Sequence, residues 1–177
     1  MGQSAVLHSL DNNTFAQLAA NPASFEYYKV AVASACFDKT FEGLRFVLCK
    51  AKPEAASLLT HVFEPLLFVG EEIDYANLNW DNLPPDLSLD GTAVYYHDPA
   101  TVEALSIYIA TITDQAFRQA FDPDELNRAG IYPEIWNREE SANNGFNEQA
   151  LVEEFQELQQ FLSKASAGSH YCICYVG

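Results

Sequence analysis

Residues 148–165 carry the strongest constraint in this chain. Leu151, Phe155, Leu158 and Leu162 recur at spacings of three and four, with Val152 and Phe161 beside them, and the remaining positions are mostly acidic or amide. That period predicts a helix of about five turns with one apolar face. A face of that length needs a partner surface to cover it. Two segments at opposite ends of the chain offer one: Ser4–Leu10 is short and apolar enough for a strand, and Ser169–Val176 is rich in Tyr, Ile and Val. Strands at both ends with helices between them predict an α+β (mixed α/β) fold. The expectation is one compact domain over residues 1–177, with a small sheet including the N- and C-terminal strands, packed with several amphipathic helices. No Gly/Ser linker divides it.

Capping residues mark the intervening helices. Asp11, Asn12 and Asn13 precede Phe15, Leu18 and Ala19, and Asn21-Pro22 ends that run. Asp38 is read as the cap of a second helix, with Phe41, Leu44 and Leu48 on one side. Glu54–Phe63 reads as helical again. Asp98-Pro99 pairs an N-cap residue with proline at the first helical position; Val102, Leu105, Ile109 and Ile112 follow at helical spacing. Thr113 is expected to cap a short helix through Phe121, and Asp122-Pro123 opens another that Ala129-Gly130 closes. Residues 70–92 and 141–147 read as loop and polar turn.

Charge separates the chain into two unequal parts. It carries 25 acidic and 9 basic residues, a net −16. Residues 1–52 are nearly balanced, with 5 basic and 4 acidic residues, whereas residues 53–177 hold 4 basic against 21 acidic. A phosphate backbone must be met by Lys and Arg, so the balance argues against nucleic acid as a direct ligand; a basic protein partner suits it better. Arg118, Arg128 and Arg138 each follow an acid by four positions (Asp114, Asp124 and Glu134), and on helices these would pair. No window approaches the roughly 18 apolar residues of a membrane span. The first residues lack the basic, then apolar, pattern of a secretory signal, and the four cysteines read as reduced thiols. A cytoplasmic location follows as the expectation.

The familiar catalytic signatures G-x-S-x-G, G-x-G-x-x-G, the Walker lysine loop and H-E-x-x-H do not occur. His170, Cys172 and Cys174 alternate on the terminal strand. Four residues of strand span about 13 Å, too far for one zinc to bind all three, so they read as small buried thiols beside a histidine and no metal or cofactor is expected. His61 and Glu64 have the spacing of a di-iron motif but lack its companion carboxylates. The hexamer Ile131-Tyr132-Pro133-Glu134-Ile135-Trp136 places two large aromatics around a proline. It reads first as a loop anchored on the core and second as a ligand or partner groove.

Three blocks resemble the YfbM-like family of bacterial domains of unknown function. Phe37-Asp38-Lys39-Thr40-Phe41-Glu42-Gly43-Leu44-Arg45-Phe46-Val47-Leu48 is similar to that family's Asp-Lys helix block, Ile131–Trp136 to its Ile-Tyr-Pro-x-Ile-Trp block, and the acidic helix from Glu148 with the final strand to its C-terminal pattern. Where the family has an aromatic-His pair and a later His, this chain has Phe41-Glu42 and Arg45. The resemblance implies one α/β-type domain and no particular activity. The leading expectation is therefore a non-enzymatic binding protein whose acidic face meets a basic protein, as an immunity-type inhibitor of a nuclease toxin would. The alternative is a small-molecule-binding protein or enzyme with a pocket where the two blocks meet. Asp38, Arg45, Tyr132, Glu134 and Trp136 are the candidate binding residues.

Overall fold

The computed structural model describes residues 3–73, 91–139 and 145–177; most of the expected 70–92 loop and of the 141–147 turn lies outside them. Five strands form one antiparallel sheet: β1 (Ser4–Leu10), β2 (Ala33–Asp38), β3 (Leu67–Val69), β4 (Val94–His97) and β5 (Tyr171–Val176). Their spatial order is β2-β1-β5-β4-β3. The two terminal strands are direct neighbours, with Ala5 opposite Val176 and Leu10 opposite Tyr171. The expected sheet and its shared termini are therefore present, in a single α+β domain.

Among the described residues seven α-helices accompany the sheet: α1 (Asn12–Ala20), α2 (Phe41–Ala51), α3 (Ala56–Leu59), α4 (Pro99–Ala110), α5 (Asp114–Ala120), α6 (Pro123–Arg128) and α7 (Glu148–Ala167). Four of them start on the caps read from the sequence. Asp11, Asp98, Thr113 and Asp122 each accept a hydrogen bond from a backbone N–H of the first turn, satisfying donors that a helix start leaves unpaired. Alternation along the strands sorts residues into two layers. Ala5, Leu7, Ala35, Phe37, Cys172 and Cys174 point into the main core beneath α2, α4, α5 and α7. Leu10 and Ile173 point the other way, where α1 covers them with Phe15 and Leu18. Cys172 is fully buried and Cys174 nearly so, as expected of small thiols. Burial pushes the Cys172 thiol well up and the Cys174 thiol up to about 12.

Three expectations need correction. Asp38 does not cap α2: it closes β2, and Thr40 stands at the cap position. Glu54–Phe63 is not one helix but a short 3-10 turn over Pro53–Ala55, the single turn α3, and bends. The four-residue acid–arginine pairs do not form. Arg118 reaches across to Glu148 of α7 (2.7 Å) and Gln149 (2.8 Å), while Asp114 takes the Gln156 amide. Arg138 pairs with Asp124 (2.7 Å) and Asp122 (3.4 Å), and Arg128 is in none of the described ion pairs. The helices involved are only six and seven residues long, and Glu134 lies in a loop at φ 61°, so neighbouring elements offer closer partners than the helix's own surface.

Candidate functional site

The two sequence blocks do meet, and their meeting is core packing. Trp136 is 3% exposed, and its ring lies against Gly43 so closely that a Cβ there would overlap it. Its indole Nε1 donates to the Ile131 carbonyl (2.9 Å). Asn127 clamps the Trp136 backbone from both sides, accepting from its N–H (2.9 Å) and donating to its carbonyl (2.8 Å). Tyr132 N–H donates to the Glu42 carboxylate at 3.4 Å. The hexamer is thus the anchored loop of the first reading. Arg45 is bound to Glu64 at 2.7 Å, and Ile135 and Glu134 face solvent. The structure brings Trp136 and Tyr132 to α2, whereas Arg45 is turned to Glu64 and Glu134 to solvent.

Asp38 instead borders a cavity of about 390 Å³ between the end of β2 and α7. The turn that makes it is unusual for its residue types. Lys39 has φ 62°, a left-handed conformation that costs a non-glycine residue about 1–2 kcal/mol. Its N–H donates to the Gln3 carbonyl (3.1 Å), which extends the β1–β2 ladder by one step before the chain swings into α2. Thr40 is buried at the cap position of α2, yet its side chain caps nothing. Its hydroxyl lies 2.6 Å from Glu154 Oε1 and 3.1 Å from the Asp38 carbonyl.

Glu154 is the chemically distinctive group. It lies on α7 among the residues that face inward, three after Leu151 and four before Leu158, both fully buried. Its Oε1 meets Thr40, while its Oε2 is buried with no hydrogen-bond partner among the described residues. Burial, with the neighbouring Glu157 and Asp38 charges adding to it against the Thr40 hydrogen bond, raises its carboxyl to about 7. One hydroxyl proton cannot serve both of its neighbours. When Glu154 is neutral, its O–H donates to Thr40, and Thr40 donates to the Asp38 carbonyl. When it is ionised, Thr40 turns its proton to the carboxylate. The cavity wall also carries Glu153 and Glu157, so four carboxyl groups face a single base, Lys39. Cys36 on β2 feels the same charges: burial raises its thiol, and Asp38, Glu157 and Glu154 raise it further. Phe146, packed edge-to-face on Trp136 (6.0 Å between centroids), forms part of the wall, so the anchored hexamer buttresses the site from behind.

Thr40 and Glu154 were not among the residues singled out from the sequence. Glu154 had a readable signal, since an acid at an inward position of an otherwise apolar stripe must be neutral or paired. Thr40 had none, because its partner is 114 residues away. Among the described residues no group of three or more His, Cys, Asp and Glu side chains could hold a metal ion, and no helix is long and apolar enough to cross a membrane.

Fold and cleft define a small α+β domain with a five-stranded antiparallel sheet and an acidic recess at one end of its edge strand. The family model described as "Domain of unknown function (DUF1877)" matches residues 1–175, and the chain belongs to that family. The crystal structure of YfbM, a protein of unknown function from Escherichia coli, is similar over 98% of this chain and 99% of its own, at 14% identity and a TM-score of 0.63; that likeness is one of fold. No curated protein matches the chain.

Proposed function

We propose that this protein is a non-enzymatic, cytoplasmic binding protein whose recess takes an ammonium or guanidinium group from a basic protein partner. One observation carries the reading: Glu154, one of whose carboxyl oxygens is buried and has no partner among the described residues, lines a cavity where Asp38, Glu153 and Glu157 leave Lys39 outnumbered. A cation seated there gives the orphaned oxygen a partner and relieves the repulsion among the acids. The −17 balance of residues 53–177 supports steering of a basic surface toward it, and an immunity-type inhibitor of a basic enzyme is a protein class with this charge. The small-molecule alternative has less support, because Trp136 is in the core and Arg45 is occupied by Glu64.

The proton supplies the test. A cation at Glu154 favours its ionised form, so binding near pH 7 must release a proton. Calorimetry with a hexalysine peptide, repeated in buffers of different ionisation enthalpy, reads that release directly. The expected result is saturable, salt-sensitive binding with a fractional proton released, and loss of the release in Glu154→Gln. Binding that moves no proton, or that is unchanged in Glu154→Gln, would assign the attraction to the general surface charge and overturn the role of the recess.

A further inference from the structure

Pairing between β4 and β5 stops after two positions, Tyr96 with Ile173 and His97 with Cys172. Both strands continue: β5 runs to Val176 along β1, and β4 runs back to Val94 along β3. The strands share one end and part at the other, so the sheet is split. Alternate residues of an antiparallel ladder turn both N–H and C=O toward the same neighbour. Ser4 and Gly177 exchange both backbone bonds, at 2.7 and 3.0 Å. Ile173 and Tyr175, in phase with Gly177, therefore turn theirs to β1. Cys172, Cys174 and Val176 turn theirs toward β4. Cys172 meets His97; Cys174 and Val176 meet no strand among the described residues. On the opposite bank Tyr95 is in phase with His97 and faces the same gap.

The gap is a cavity of about 470 Å³, within the roughly 300–1,000 Å³ range of ligand sites. Its lining comes from both faces of the sheet. Cys174 and Tyr95 belong to the layer of the main core, Val94 and Tyr175 to the opposite layer, and Tyr27 lies over them. Such mixing requires an open sheet. The Cys174 thiol donates to the Phe63 carbonyl (2.9 Å), closing the floor with Pro65. Two acids stand at this place: Glu64 in the lining, already paired with Arg45, and Glu72, which accepts from the Tyr95 hydroxyl.

Unpaired backbone groups in strand geometry ask for an extended backbone, apolar walls for aliphatic side chains, and Glu72 for a neighbouring base. We propose that the split between β4 and β5 is a docking site for a short extended peptide of a partner protein, added as a strand against Cys174–Val176, with aliphatic side chains in the cavity and a basic residue toward Glu72. This site is separate from the recess at Glu154, and neither proposal depends on the other.

Hydrogen exchange and peptide binding test it together. In the free protein the Cys174 and Val176 amides should exchange far faster than those of Ile173 and Tyr175. A fluorescent peptide, Lys-Val-Thr-Val-Thr-Val with blocked ends, should protect them. A twin with alternate amides N-methylated should bind about tenfold more weakly, because it has lost the donors that pair with the split. Val176→Pro should weaken the first peptide by a similar factor without lowering the melting temperature, since the N–H it removes faces the gap and not β1. Three outcomes overturn the proposal: equal binding of both peptides, which makes the gap an apolar pocket; protection of the same amides by self-association alone; or no saturation below about 1 mM.

Discussion

Glu154 keeps its proton to higher pH than an exposed glutamate, and the sign of that shift fixes how it affects stability. The folded-state value is raised, to about 7 from the usual 4.5, so the folded chain holds this proton more tightly than the unfolded chain. The benefit is complete below about pH 4.5 and is lost as pH rises through about 7. Replacing Glu154 by Gln removes the ionisable group and keeps a partner for Thr40. Glu154→Gln should therefore be more stable than the parent by about 1–3 kcal/mol at pH 8 and close to it at pH 4.5, read from urea unfolding at both values. An equal difference at both pH values would refute the assignment. His97 acts in the opposite direction. It is buried with its Nε2 3.2 Å from the Val62 carbonyl, and desolvation lowers its pKa below 6.5, so stability due to its neutral form is lost as pH falls through that lowered value. The two groups together favour a window on the acid side of neutrality.

At the scale of elements, helix ends were more legible than strands. Side-chain caps are local chemistry, which is why Asp11, Asp98, Thr113 and Asp122 could be read directly. The strands β2, β3 and β4 depend on distant partners. β2 contains Ala33, Ser34, Ala35 and Cys36, small residues with no strong alternation, and β3 has only three residues; what makes them strands is pairing with β1 and β4. The turn at Lys39 was misread because an acid before an apolar helical run resembles a cap, while the left-handed step that displaces it leaves no trace in composition. The hexamer's loop-anchoring role was legible, but its support for the recess through Phe146 was not. That packing gives a direct prediction: Gly43→Ala puts a methyl group into the Trp136 ring and should cost about 1–3 kcal/mol as an overpacked contact. Unfolding at an unchanged midpoint would show that the loop moves aside freely.

For the whole molecule, β5 matters most. It lies in the centre of the sheet, between β1 and β4, and supplies Cys172 to the main core and Ile173 to the layer under α1. Ending the chain at Gly168 removes no helix, yet it leaves β2-β1 and β4-β3 as two ribbons with no strand between them. A chain so shortened should show no cooperative thermal transition, whereas a sharp one would mean that the helices alone hold the domain. Charge operates at this scale too, since solvent screens exposed pairs such as Lys29–Glu26 while the net −16 acts over the whole surface.

Placing the last strand beside the first also sets an order of events during synthesis. The residues of β1 emerge before those of β5, which follow some 160 positions later. Until then β1 has only β2 beside it, and β4 only β3. The nascent chain therefore exposes two edges, those of β1 and β4, that β5 later bridges, and completion of the sheet waits on translation of β5.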